Sequence, residues 1–227
     1  MAYQNFFFFD IETTSKSKSL FDLKMDDTVG ADIFIKKCTK LKQYSGSEWA
    51  DKPCEELYIE KAPLLPEFGK IICMSFGMFG EDGKLHIMTI VEDDEEKLMN
   101  RIAKVFSRAS GSKKSLCGFN IKSFDIPWIV RKLYKYNIDI PLSLNFVGVK
   151  PWEILITDIH DIWKGLGRYN ISLAEVCYEL GIESPKKIMS GEEVHEYYWN
   201  KNDIKSIMTY CEGDVNSIIK IAEKLKL

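Results

Sequence analysis

The stretch Phe6-Phe7-Phe8-Phe9-Asp10-Ile11-Glu12-Thr13-Thr14 decides how the whole chain is read. Four phenylalanines followed by an isoleucine have the composition of a central β-strand over Phe6 to Ile11. On a strand, residues i and i+2 point to one face, so Asp10 and Glu12 leave the sheet side by side. Two carboxylates about 4 Å apart repel by roughly 4 kcal/mol at an effective dielectric near 20. The pair therefore needs protons, hydrogen-bond donors or cations, and a divalent metal meets that need most directly. The plainer alternative ends the strand at Asp10 and leaves Glu12 as a solvated loop residue. Partners elsewhere in the chain decide between the two.

The 227 residues, 45% of them hydrophobic, suit one medium domain over 1–227 with an insertion over about residues 15–62. No apolar run reaches the length of a membrane span. The N-terminal phenylalanines lack the basic flank and cleavage site of a signal peptide, so the expectation is a soluble, unprocessed, cytoplasmic chain. Six cysteines (Cys38, Cys54, Cys73, Cys117, Cys177 and Cys211) are scattered without a C-x-x-C pair. That pattern favours reduced thiols packed as small hydrophobes, and no structural zinc. A net charge of −3 argues against coating nucleic acid through bulk charge alone and does not exclude an enzyme whose bound metals and local lysines meet phosphate.

Residues 15–62 show no strand alternation. Lys16 to Lys42 carries seven lysines against Asp22, Asp26, Asp27 and Asp32, which reads either as a solvated loop or helical excursion or as a basic flap over a nucleic-acid groove. Gly69 to Phe79 and Lys84 to Val91 form a hairpin around Gly80-Glu81-Asp82-Gly83. Helical spacing follows over 94–109, with acidic residues at its start. Ser115 to Asn120 is a short buried strand that leads into a helix at Asp125-Ile126-Pro127, so Asp125 is either a helix cap or a site residue. Ile154 to Asp158 is a further strand, and Asp158 or Asp161 begins the next helix. Ser172 and Glu175 form a capping box on a helix that ends at Gly181. A 3.6-residue period from Asp203 to Leu225 gives one long amphipathic helix, with Tyr210 and Asp214 four apart at the margin of its buried stripe. The plain alternative for that pair is a half-buried tyrosine and a surface aspartate. The order of elements describes a mixed α/β sheet flanked by helices.

Asp10-x-Glu12, then Asn120-x-x-x-Phe124-Asp125, then Tyr210-x-x-x-Asp214 resembles the DEDD exonuclease superfamily on the ribonuclease-H-like fold, in its tyrosine-bearing branch. The wording Asp-Ile-Glu-Thr-Thr, Gly118-Phe-Asn-Ile-x-x-Phe-Asp-Ile-Pro-Trp and Tyr210-Cys-x-x-Asp214 is closer still to the proofreading domain of family B DNA polymerases. The likeness spans almost the whole chain, and the long excursion after the first motif departs from the minimal fold. It implies a stand-alone, metal-dependent 3′–5′ exonuclease acting on single-stranded DNA and releasing nucleoside monophosphates, with trimming of RNA as the alternative. A silent nucleic-acid-binding module is the rival from another class.

The chemistry suits the residues, because phosphodiester hydrolysis needs an activated water and neutralisation of charge on the phosphate and the leaving oxygen. Hard divalent ions on carboxylate oxygen supply both. By resemblance, two Mg²⁺ ions, with Mn²⁺ as substitute, are held by Asp10, Glu12, Asp125 and Asp214. Asp10 bridges both ions, Glu12 and Asp214 complete one site, and Asp125 holds the other. Tyr210 orients the attacking water. The histidine-bearing branch places its base where this chain has Thr209, while His195 stands too far upstream, and His86 and His160 are expected on strand and loop surfaces. The resemblance also nominates Thr13 beside the terminal nucleotide, Asn120 as an amide on the strand, Phe124 as a base-stacking platform, and Lys187 or Lys186 as a phosphate contact. The implied partners are the 3′ end of single-stranded DNA and a separate DNA polymerase or replication protein, with no membrane.

Overall fold

A computed structural model describes residues 2–44, 47–111, 114–150, 153–154, 156–168, 170–183 and 189–227. They form two compact units, one of residues 1–12, 72–189 and 205–227, the other of residues 13–71 and 190–204. The strands are β1 (Phe6–Ser15), β2 (Gly69–Phe79), β3 (Leu85–Val91), β4 (Ser115–Gly118) and β5 (Ile156–Asp158). The helices are α1 (Leu20–Asp26), α2 (Thr28–Tyr44), α3 (Ser47–Ala50), α4 (Cys54–Lys61), α5 (Glu95–Gly111), α6 (Asp125–Lys135), α7 (Ile159–Lys164), α8 (Leu173–Leu180), α9 (Val194–Trp199) and α10 (Ile204–Lys224).

The five strands make one sheet in the order β3-β2-β1-β4-β5. β2 and β3 are the antiparallel hairpin expected around Gly80–Gly83, in register from Cys73 opposite Val91 to Phe79 opposite Leu85. β1 runs parallel to β4, and β4 parallel to β5. This is the mixed α/β sheet expected of a ribonuclease-H-like fold. β1 is longer than its apolar run: it continues through both carboxylates to Ser15 instead of ending at Ile11, and Thr14 and Ser15 are fully buried.

The two-residue alternation of β1 divides the first unit's core. Phe7 and Phe9 pack edge-on against Phe106 of α5 at 5.4 and 5.1 Å between ring centres. Phe8 turns the other way, into a cluster with Cys117, Val176 of α8, and Val215 and Ile218 of α10. Burying such a side chain is worth about 1.5–3 kcal/mol, so shifting β1 by one residue would move hydrocarbon out and the carboxylates onto the wrong face. The alternation that sends Phe8 toward α10 sends Asp10 and Glu12 there too.

In the second unit, α1, α2 and α4 surround Phe34, whose ring meets Tyr58 and Phe68 edge-on at 5.0 Å each. Residues 15–62 are thus a helical excursion with its own core. Cys38 of α2 and Cys54 of α4 form a disulfide, which corrects the expectation of six reduced thiols; Cys73, Cys117, Cys177 and Cys211 are free and buried. The pairing depends on which helices pack together, and no cysteine spacing announces it. Residues 190–204 join this unit from far along the chain. His195 donates from Nε2 to the Lys18 carbonyl at 3.0 Å, and the Trp199 indole N–H donates to the Ser15 carbonyl at 3.3 Å. No described helix is long and apolar enough to cross a membrane.

Candidate active site

The site is assembled where β1 outlasts its neighbour. The β1–β4 ladder pairs Phe6 with Ser115, Phe7 with Leu116 and Phe8 with Cys117, and β4 stops at Gly118. Beyond that point the Ile11 N–H donates to Oδ1 of Asp125 at 3.0 Å. Asp125 thereby stands in for the missing strand and is pinned beside Asp10 and Glu12. It is the first residue of α6, with Phe124 at the cap position, so the helix-cap alternative does not hold. Gly118 is required at the turn: a Cβ there would lie 2.3 Å from Cγ2 of Ile121 and 3.0 Å from the Phe9 carbonyl oxygen.

α10 supplies the other wall. The Cys211 thiol contacts both the carbonyl and the carboxylate of Asp10 at 3.5 Å, and one donor atom each from Asp10, Glu12 and Cys211 lie within 4.8 Å of one another. Tyr210 and Asp214, expected at the margin of the helix's buried stripe, are 6% and 8% exposed and face inward. The Tyr210 hydroxyl donates to the Asp214 carboxylate. Thr209, which holds the position of the histidine branch's base, is exposed and bonds back to the Lys205 carbonyl.

The electrostatics are those of crowded anions. Removal from water raises Asp10 well above the usual carboxylate range, although its edge reaches solvent, and Asp125 and Asp214 push it further. Burial and then Asp10 do the same to Glu12. Asp125 is pushed up to about 7 by burial, and by Asp158 and Asp214, against the lowering effect of its backbone N–H bonds. Burial and Asp214, with Glu12 and Asp10, raise Tyr210, so it stays a phenol. Burial and the neighbouring Cys73 raise Cys211, so it stays a thiol and offers no soft thiolate. What remains is a set of hard carboxylate oxygens whose main charged neighbours are other carboxylates. That donor set fits Mg²⁺ or Mn²⁺.

Asp158 is the residue the sequence left undervalued. It is 2% exposed and caps α7, and its carboxylate accepts from the backbone N–H groups of Asn120 (2.8 Å), Lys122 (3.0 Å) and His160 (3.1 Å). Two of those bonds hold the turn between β4 and α6, in which Asn120 adopts a left-handed φ of 60°. The sequence signal was an aspartate ending a strand and opening a helix; its second task needed the fold.

Asn120 and Phe124 lie on that turn, half-buried, with the Phe124 ring 5.8 Å from Trp128. Thr13, the residue after Glu12, belongs to the second unit, is 7% exposed, and donates its hydroxyl proton to the Pro63 carbonyl at 2.6 Å. Lys186 and Lys187 lie outside the described residues. His86 is exposed on β3 as expected, but His160, expected on a loop surface, is buried in the first turn of α7 with its ring edge-on to Phe119.

The family model of the RNase H superfamily matches residues 57–226, which takes in Asn120, Asp125, Tyr210 and Asp214 and stops short of Asp10 and Glu12. No curated protein matches the chain. Among solved structures, the family B DNA polymerase from the hyperthermophilic archaeon Pyrobaculum calidifontis is similar, with a TM-score of 0.59 and 16% identity, over 97% of this chain and 24% of that one. At that identity the likeness is one of fold. This chain spans less than a third of the polymerase's length.

Proposed function

The chain belongs to the RNase H superfamily, and from that premise we propose that it is a metal-dependent 3′–5′ exonuclease removing nucleoside monophosphates from the 3′ end of single-stranded DNA. One observation carries the reading: carboxylates from β1, α6 and α10 converge, Asp125 and Asp214 raising Asp10 and Asp214 raising Asp125, with Tyr210 bonded to Asp214. A fold gains nothing from gathering anions unless cations or protons are to be held there.

Asp10, Glu12, Asp125 and Asp214 would hold two Mg²⁺ ions, with Mn²⁺ as substitute. When bound, such ions activate water and neutralise charge on the phosphate and the leaving 3′-oxygen. Tyr210, a phenol fixed by its bond to Asp214, orients the attacking water and is not itself the base. Thr13 is assigned beside the terminal nucleotide on the sequence resemblance alone. Asn120 presents its amide to the strand from a turn that Asp158 fixes, and Phe124 offers ring surface to a base. Lys187 is assigned to a phosphate contact on the sequence resemblance alone. A separate DNA polymerase or replication protein is the partner such an activity would serve.

The test is release of mononucleotides from a 3′-labelled single strand in Mg²⁺ or Mn²⁺, with a chelator control. Undiminished release in excess chelator overturns the metal mechanism. Faster digestion of a matched RNA strand assigns the same site to RNA, since the choice turns on the 2′-hydroxyl. We place this work in the cytoplasm, against which the Cys38–Cys54 bridge stands as a counter-indication. Thiol titration of natural protein decides: six free thiols support a reducing compartment and four an oxidising one.

A further inference from the structure

The second unit carries an outer face that the nuclease reading does not use. Phe21 and Met25 on α1, and Val29 and Ile33 on α2, are 67%, 72%, 69% and 52% exposed. They recur every four residues, while Leu23, Ala31 and Phe34 of the same helices are buried in the unit's core. Single exposed apolar residues are ordinary, but four large ones in succession along two consecutive helices mark a surface that another molecule covers.

The charges on this face say what the other molecule is. From Leu20 to Asp27 the chain has Asp22, Asp26 and Asp27 against Lys24; from Ile33 to Lys42 it has Lys36, Lys37, Lys40 and Lys42 and no acid. Asp26, Lys36, Lys37 and Lys40 are exposed, and none has an ion-pair partner among the described residues. Along the chain the charge runs from anionic α1, through exposed Asp32 in the first half of α2, to a cationic C-terminal half of α2, with exposed apolar side chains on both helices. A surface with that character is complementary to itself under a two-fold rotation, because the acidic helix of one copy meets the basic end of the other's α2 twice. A lone acidic or basic partner would match only half of it.

We propose that the α1–α2 face is the interface of a homodimer, with α1 of each copy laid against the C-terminal half of α2 of its partner. Apolar contact supplies the attraction and the opposed charges set the orientation. The reading is independent of the chemistry at the carboxylate site, since every residue in it lies in the second unit.

The experiment uses the full chain in sedimentation equilibrium or light scattering, with two charge-reversed variants. One carries Lys36→Glu and Lys37→Glu, the other Asp22→Lys and Asp26→Lys, and circular dichroism melts confirm that both fold. The parent chain is expected at twice its monomer mass at micromolar concentration. Each variant alone is expected to lose about a hundredfold or more in self-association, because like charges then face each other. Mixed in equal amounts, the two variants should form a heterodimer, since reversed α2 then meets reversed α1 in one contact and the other contact keeps its native charges on both sides. A parent chain that stays monomeric overturns the proposal. So does a dimer indifferent to both reversals, or a mixture that stays monomeric.

Discussion

Glu95 and Asp10 are carboxylates drawn out of water inside the same unit, and their surroundings treat them in opposite ways. Burial, the largest single influence, would push Glu95 up, but Lys132, Tyr136 and Lys135 together outweigh it, and its pKa ends lowered. Its oxygens lie 3.0 Å from the ammonium groups of Lys132 and Lys135 and accept the Tyr136 hydroxyl at 2.6 Å. Around Asp10 the strongest charged influences are Asp125 and Asp214, and its pKa rises. The first arrangement is finished by side chains that α6 and the turn after it provide. Under the proposed function the second is left for a diffusible cation to finish, and that difference separates a structural ion pair from a site.

The comparison breaks most sharply on activity. Asp10→Asn, which keeps the volume and removes the charge, is expected to lower mononucleotide release by about 10²–10³-fold or more. In chelator the same variant should melt at or above the parent temperature, because one repelling anion is gone. A parallel loss of fold would reduce Asp10 to a structural role. Glu95→Gln should do the reverse, costing about 3–5 kcal/mol in urea unfolding because Lys132, 1% exposed, is left without its anion. Its folded fraction should digest DNA at the parent rate.

Smaller effects sharpen the contrast. Tyr210→Phe removes the hydroxyl without touching a carboxylate, so the rate should fall by about tenfold, or roughly 1.4 kcal/mol, with Mn²⁺ affinity unchanged. Asp158→Asn keeps one acceptor oxygen of two and should cost about 1 kcal/mol of stability through the Asn120–Lys122 turn.

The pH dependences should oppose each other in metal-free protein. Asp125 is raised from an ordinary 3.8 to about 7, so its protonated form is favoured by folding. Its contribution is full below pH 3.8 and is lost as pH rises through about 7. Glu95 is lowered from 4.5, so its contribution is present above that value and lost as pH falls through the folded-state pKa. Thermal melts across pH in chelator measure both. Added Mn²⁺ should raise the melting temperature more at pH of about 8 than at about 5, because its ligands bind deprotonated. Equal increments at both would sink the cation account.

Much of the first unit was legible because short-range rules govern it. Hydrophobic period gave the hairpin, α5 and α10, and the Ser172–Glu175 capping box fixed the start of α8. The inward turn of Tyr210 was only half legible, since a four-residue spacing says that two side chains share a face without saying how deeply the face is buried. The second unit was mostly illegible. Its helices carry mixed charge, its disulfide joins cysteines 16 residues apart on two different helices, and its remaining segment arrives from residues 190–204.

From the amino-acid order alone came the side-by-side carboxylates of β1, because backbone geometry forces residues two apart onto one face. The membership of Asp10, Glu12, Asp125, Tyr210 and Asp214 in one constellation came from motif order by resemblance. Only the tertiary structure could decide that Asp125 satisfies the Ile11 N–H where β4 runs out, that Asp158 ties down the turn before it, and that Glu95 has cations while Asp10 has none among the described residues. Those outcomes depend on which groups long-range packing brings within a few ångströms, and electrostatic energy in a low-dielectric interior is set by that distance.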